Sequence, residues 1–327
     1  MPPQIFFRLP FSKDIFFNDL KSDCQKIGFT SFDLSEKLNF KGDFQKISSE
    51  DLLEKSWFSD DLNFKLENLK QESETDYSKK ISEVISFITE NQIPKLVISR
   101  RKIIDLKQKK INLSQSFLNL IKSYNNAFVY LFKTEKESWI GAFSEVLGKF
   151  DKETSEFETM SLAGTLALEK DWTSKEIEEQ KTVSFYIESV LKKYSKETEI
   201  SETKDHISGN IKHLRTDFKL KIEKENLENL ILNLHPTPAV CGIPKDFCKN
   251  AILNFEKKPR EFYAGFCKVE TESEIYFFVN LRCAKIYKNA AELFVGGGIT
   301  AQSNPKKEWQ ETELKSEAIL KNLEFIS

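Results

Sequence analysis

Apolar residues recur along this chain at two spacings. In YSKKISEVISFIT, residues 77–89, Ile81, Val84, Ile85 and Ile88 lie three and four apart, the period of one helical face. Helical spacing also predicts helices over 115–124, over 173–195, over the ENLENLILNL stretch and over 245–256. In the second of these, Val183, Ile187 and Val190 share one side, and Thr173 with Glu176 three residues on forms a capping box that sets its start. Runs that alternate, or that are wholly apolar and rich in β-branched or aromatic residues, predict strands at IFFRL, FTSFDL, KLVISRRKII, AFVYLF and HLRTDFKLKI. SWIGAFSEVLGKF at 138–150 predicts a strand pair with a turn, and EFYAGFCKVE with EIYFFVNLRCAKIY predicts a hairpin-like pair. The segment 59–79 reads as a loop or short helix, and 196–210 as a polar connector. The end of the chain reads as a strand, then a glycine run, then a helix. Strands outnumber helices and follow one another with few β–α–β alternations, so the class is α+β with antiparallel sheets. With no internal repeat and no clear linker, residues 1–327 are expected to form one domain.

Composition narrows this picture without identifying a function. The chain has 327 residues, 39% apolar and 31% charged, enough for a substantial core beneath a heavily charged exterior. A formal net charge of -2 argues against a nucleic-acid partner, which selects for a basic excess. Phe is plentiful at 28 beside 2 Met, so aromatic packing is expected to dominate the core. The 5 cysteines form no C-x-x-C pair, and with 3 histidines they cannot assemble a zinc site of the usual spacing. They read as reduced, buried thiols of a cytosolic protein. The start, MPPQIFFRLPFSKDIFF, lacks the basic opening and unbroken apolar centre of a signal peptide, and no uncharged run approaches the about 18 residues that span a bilayer.

One charged stretch has two readings. In EWQETELK, 308–315, Glu308, Glu311 and Lys315 are spaced to share a helical face. Such a stripe can be solvated surface. Coming just after the glycine run GGGI at 296–299, it can also be turned inward toward a metal and an anion.

Ten short words decide between these by resemblance. IPKLVISR (93–100), FSEVL (143–147), SLAGT (161–165), SKEIEEQ (174–180), HLRT (213–216), LHPTPAVCGIPK (234–245), REFYAG (260–265), LRCA (281–284), GGGIT (296–300) and EWQETELK occur in the order found in the chorismate-binding enzymes. The chain most closely resembles the isochorismate synthases. The likeness covers 77–321, and the divergent segment 1–76 matches loosely, through FRLP, and is shorter than usual. The resemblance implies a single large domain of antiparallel β-sheets layered as a sandwich and flanked by helices. It also implies a cytoplasmic monomer acting on chorismate with Mg²⁺, with neither nucleic acid nor membrane as partner.

Chorismate carries two carboxylates and a ring hydroxyl. Its isomerisation to isochorismate adds water at C2 and expels the C4 hydroxyl, which requires a base, an acid and charge compensation. By resemblance, Lys95 is the base, which a lysine can be near neutrality only where its surroundings lower its ordinary pKa of about 10.4. Glu145 is the acid and should be protonated in an apolar pocket. The word around it departs from the family's usual small-Pro-Glu. Glu179 and Glu311 resemble direct magnesium ligands, with Glu176 and Glu308 one turn earlier reaching the metal through water. Gln180 stands where the family usually has His, which is expected to alter fine geometry while retaining metal binding. Arg282 and Tyr263 resemble a clamp on the enolpyruvyl carboxylate, with Gly296, Gly297 and Gly298 bringing backbone N–H groups to it. Lys315 is placed to neutralise a substrate carboxylate, and Thr216 and Ala163 to line the pocket. For His235 two readings stand: a group bordering the ring, or a structural histidine holding a turn. Lys95 disfavours the ammonia-using anthranilate synthases, and Ala163 the aminodeoxychorismate synthases. HPTPAVCG favours isochorismate synthase, feeding menaquinone or siderophore biosynthesis, over salicylate synthase. A non-catalytic homologue is the remaining alternative.

Overall fold

The computed structural model describes residues 3–208 and 211–327; the last two residues of the polar stretch 196–210 lie outside them. Two nine-stranded sheets organise the chain, and every strand pairing in them is antiparallel. The first runs Gly242–Ile243, Lys95–Asp105, Ala290–Ile299, Cys283–Ile286, Ser138–Phe143, Phe128–Lys133, Gln4–Arg8, Ile15–Asn18, Phe44–Ile47. The second runs Glu199–Ile200, Ile211–Lys221, Glu156–Ala167, Val146–Asp151, Glu274–Val279, Phe266–Glu270, Ile27–Thr30, Lys37–Phe40, with Lys204–Ser208 also pairing Ile211–Lys221. The divergent first 76 residues put strands into both sheets, so they are integral to the same body as the rest.

The wholly apolar runs are buried on both faces. On Phe128–Lys133, the rings of Phe128, Tyr130 and Phe132 enter the core between the sheets, where Phe128 stacks on Phe278 at 4.8 Å. Val129 and Leu131 point the other way, onto Leu113, Phe117 and Leu120 of the helix Leu113–Ser123. The helix Glu74–Glu90 buries Ile81, Val84 and Ile88 of the predicted stripe and leaves Ile85 half-buried, and it opens with Ser73 accepting from the Asp76 amide. Its partner, Pro305–Leu320, packs beside it against the strand Ala290–Ile299. Among the described residues, no helix is long and apolar enough to cross a membrane.

Four expectations need correction. The polar stretch 196–210 holds the strands Glu199–Ile200 and Lys204–Ser208. A short strand, Glu324–Ile326, follows the last helix. The glycine run lies inside the strand Ala290–Ile299 and does not follow it. The strands in 138–150 exist, but they do not pair with each other. Ser138–Phe143 belongs to the first sheet and Val146–Asp151 to the second, so Ser144 and Glu145 are a crossing between sheets. Residues 280–282 cross back beside them. The Val279 amide donates to the Glu145 carbonyl at 3.0 Å and the Ala142 amide to the Arg282 carbonyl at 3.2 Å. Arg282 takes φ 49°, the local bend of that second crossing.

Candidate active site

The two crossings, the helix Ser174–Leu191 and the helix Pro305–Leu320 enclose a cavity lined by Lys95, Glu145, Glu179, Arg282, Glu311 and Lys315, among others. Lys95 opens the strand Lys95–Asp105, is 3% exposed, and donates to Glu179 Oε1 at 2.6 Å. Space for it comes from Gly298 on the neighbouring strand, where a Cβ would stand 2.4 Å from Lys95 Cε. This glycine is required by a close approach, not by its backbone angles. Burial pushes the Glu179 carboxyl up, but Lys95, Lys315 and Lys175 together outweigh it, and it titrates below its ordinary range.

The charged stripe of Pro305–Leu320 faces inward. Glu308 is 2% exposed; its Oε1 accepts from Ser303 Oγ at 2.7 Å and meets Lys175 Nζ at 3.4 Å, while its Oε2 is buried without a partner. Burial and the charge of Glu311 raise its pKa. Lys315 bridges Glu311 Oε1 at 2.7 Å and the Gly296 carbonyl at 3.0 Å. Glu176 lines the cavity too, but the capping box predicted with Thr173 engages its Oε2.

Glu145 is buried, and its carboxyl is pushed up to about 7 by desolvation, against the opposing charges of Lys95 and Arg282. Arg282 and Tyr263 line the same cavity; burial lowers the arginine's pKa and raises the tyrosine's. Arg282 Nη2 lies 3.0 Å from His213 Nε2, whose other ring nitrogen is 2.8 Å from the Gly164 carbonyl. That carbonyl can only accept, so His213 donates from Nδ1 and accepts from Arg282 through Nε2. Gly296, Gly297 and Gly298 form a further wall. The strand Cys283–Ile286 ends opposite Phe294, so beyond that point the glycine strand is paired on one side, with Lys95–Asp105. Alternate N–H groups of the run are thereby left without a strand partner among the described residues.

Three candidate residues do not line this cavity: Glu308 adjoins it through Lys175, and Thr216 and His235 lie away from it. Thr216 accepts from Gln180 Nε2 at 3.2 Å, in a buried seam with Ser161 behind the helix Ser174–Leu191. His235 sits in the aromatic core, its Nε2 2.9 Å from the Phe32 carbonyl, with burial lowering its pKa to about 4. The structural reading of His235 is the one its surroundings support. Ala163 does line the cavity, as do Lys175, His213 and Ser144, which the sequence reading passed over. A signal for His213 existed: on a strand, residues three apart face opposite ways, so His213 and Thr216 could not both face the substrate.

Glu176, Glu179, Glu308 and Glu311 offer an all-oxygen donor set suited to a hard cation. The orphaned Glu308 Oε2 is consistent with one, and a Cβ at Gly297 would stand 3.2 Å from that oxygen and 3.7 Å from Glu311 Oε1. Among the described residues, the acids are not drawn into a finished cluster of three or more, because lysines stand between them.

Comparison with known proteins follows the same line. The profile of a family described as "Chorismate binding enzyme" matches residues 32–324. The isochorismate synthase EntC of Escherichia coli K12 is 31% identical over 198 residues, 55% of this chain and 50% of EntC. The chain thus spans about half the length of that curated relative. A Bacillus anthracis protein described as a 2,3-dihydroxybenzoate-specific isochorismate synthase, DhbC, superposes with TM-score 0.79 at 21% identity, covering 97% of this chain and 95% of the other. The menaquinone-specific isochorismate synthase MenF of Escherichia coli superposes with TM-score 0.79 at 19% identity, covering 98% and 88%. These two likenesses establish the sandwich fold.

Proposed function

The chain belongs to the chorismate-binding enzyme family, and on that premise we propose that it isomerises chorismate to isochorismate. The observation that carries this reading is the meeting, in one cavity, of a buried lysine with a buried carboxyl pushed up to about 7. A proton acceptor and a protonated carboxyl in one cavity are what an addition–elimination on a ring requires.

In this reading Lys95 takes a proton from a water molecule as its oxygen bonds to C2 and the ring double bonds shift. Glu145, protonated, gives its proton to the C4 oxygen as that bond breaks. Arg282, oriented by His213, presents its guanidinium to the enolpyruvyl carboxylate beside Tyr263, and the glycine wall keeps N–H groups within that carboxylate's reach. Lys315 neutralises the second carboxylate. Glu179 and Glu311 would hold a magnesium ion, with Glu176 and Glu308 behind them. When bound, that ion supplies positive charge against the substrate's anionic groups. The product would feed menaquinone or siderophore biosynthesis.

The test is to incubate the purified chain with chorismate and Mg²⁺ and separate the products. Isochorismate alone supports the reading. Salicylate with pyruvate would make the chain a salicylate synthase, and absence of turnover a non-catalytic homologue.

A further inference from the structure

Glu145 acts from a crossing only two residues long, and its fixity there is a structural question in its own right. One end of the crossing is held: the Glu145 carbonyl accepts from the Val279 amide at 3.0 Å. The other end is a serine, which has no ring to fix its backbone torsion. Ser144 Oγ lies 3.2 Å from His206 Nε2. His206 comes from Lys204–Ser208, a strand that pairs with Ile211–Lys221 alone among the described residues. In that pairing His206 is directly opposite His213, and opposite residues of an antiparallel pair share a face. The hairpin thus carries two imidazoles side by side, one against the crossing that bears the acid and the other against Arg282 on the crossing that returns.

We propose that the Ser144–His206 hydrogen bond is a tether that positions the Glu145 carboxyl toward the substrate. His206 is then a positioning residue, acting on the acid through the serine while never touching substrate. The proposal rests on Glu145 being the acid. It adds that the strand Lys204–Ser208, which lies outside the cavity lining, contributes to the chemical step. The tether also accounts for a serine directly before the acid, since the hydroxyl supplies a restraint that backbone geometry alone does not.

The test is a cycle of variants with a readout independent of turnover. Ser144→Ala and His206→Ala should each lower kcat about three- to tenfold at unchanged KM, the effect of losing one modest hydrogen bond in the chemical step. The double variant should fall no further than the poorer single one, because both remove the same bond. Ser144→Thr, which keeps the hydroxyl, should retain the parent kcat. Additive losses, a raised KM at full kcat, or a threonine variant as slow as the alanine one would overturn the tether. In parallel, hydrogen exchange at the Val279 amide should quicken several-fold in both alanine variants, since its acceptor lies on the loosened crossing. Unchanged protection there overturns the tether. Quickened exchange in a chain that does not turn over chorismate overturns the proposed function and leaves the tether standing.

Discussion

Replacing Glu145 by glutamine should abolish turnover and, above neutral pH, make the protein more stable. The carboxyl is buried, and desolvation pushes it up to about 7 although Lys95 and Arg282 favour its charged form. An ordinary glutamate titrates at ~4.3, and each tenfold step in an equilibrium is ~1.4 kcal/mol, so ionising it costs about 4 kcal/mol more in the folded than in the unfolded chain. The sign follows from which state binds more protons. Below about pH 4.3 both folded and unfolded chains hold the proton, and the group contributes no penalty. Between there and about 7 the unfolded chain has released it while the folded chain keeps it, so stability falls as pH rises. Above about 7 the full penalty applies. Glutamine is neutral throughout and nearly isosteric, so it removes the penalty only where the penalty exists.

The assay is urea unfolding of parent and Glu145→Gln at pH 4.5 and pH 8.5, with the difference between proteins compared at the two pH values so that all other titrations cancel. The variant's advantage should grow by on the order of 3 kcal/mol between the two. An advantage that does not change with pH would mean that Glu145 is not held protonated by the fold, and the assignment of the acid would go with it. The same raised pKa predicts that the parent's kcat declines as pH rises through about 7, as the acid loses its proton.

The other residues carry sharper all-or-none expectations. Lys95→Ala should abolish turnover while chorismate still binds by calorimetry; an active variant would remove Lys95 from the role of base. Glu311→Gln should weaken the enhancement of chorismate affinity by Mg²⁺, and an unchanged magnesium titration would count against the ligand set. Gly298→Ala sets a Cβ 2.4 Å from Lys95 Cε, so it should destabilise the protein by about 1–3 kcal/mol and lower kcat by displacing the amine. His235→Ala should cost about 2–3 kcal/mol in unfolding, through the orphaned Phe32 carbonyl and the hole left in the aromatic core, with KM preserved. A selective rise in KM would return His235 to the substrate pocket.

How much of this was legible in the sequence depends on the kind of signal. Helices with a capping residue and an apolar stripe, such as Ser174–Leu191 and Glu74–Glu90, lie within a few residues of where their patterns put them. The strand Lys204–Ser208 was not legible, since as an edge strand it carries lysine, aspartate and histidine, the composition of a connector. The crossing at 144–145 was misread as a turn because a short break between apolar runs looks the same whether the second run folds back or leaves for another sheet. Most candidate site residues reach the cavity because the words that carry them place acids on two facing helices. Lys175 was overlooked because a lysine at a helix start reads as solvated, and only the tertiary fold sets it against Glu308.

On the proposed function, the charges of the cavity bear on why a divalent ion and a dicarboxylate would bind here together. Lys95, Lys175, Lys315 and Arg282 face Glu176, Glu179 and Glu311, with Glu308 adjoining, while Glu145 stays protonated below about 7. With Lys95 ion-paired to Glu179, four cationic side chains stand against four acids before anything enters; Lys95 must leave that pair and shed its proton before it can act as the base. An incoming dianion would leave two negative charges uncompensated in a partly desolvated space, where charge is costly. A divalent cation of the kind those acids suit would offset those charges. The lysines that pair with Glu179 and Glu311 would then be free to turn toward the substrate. By linkage, whatever factor the cation contributes to chorismate affinity, chorismate must contribute to the cation's. On the proposed reading, the lysines and acids that pair across the cavity would therefore make ion and substrate bind as a pair.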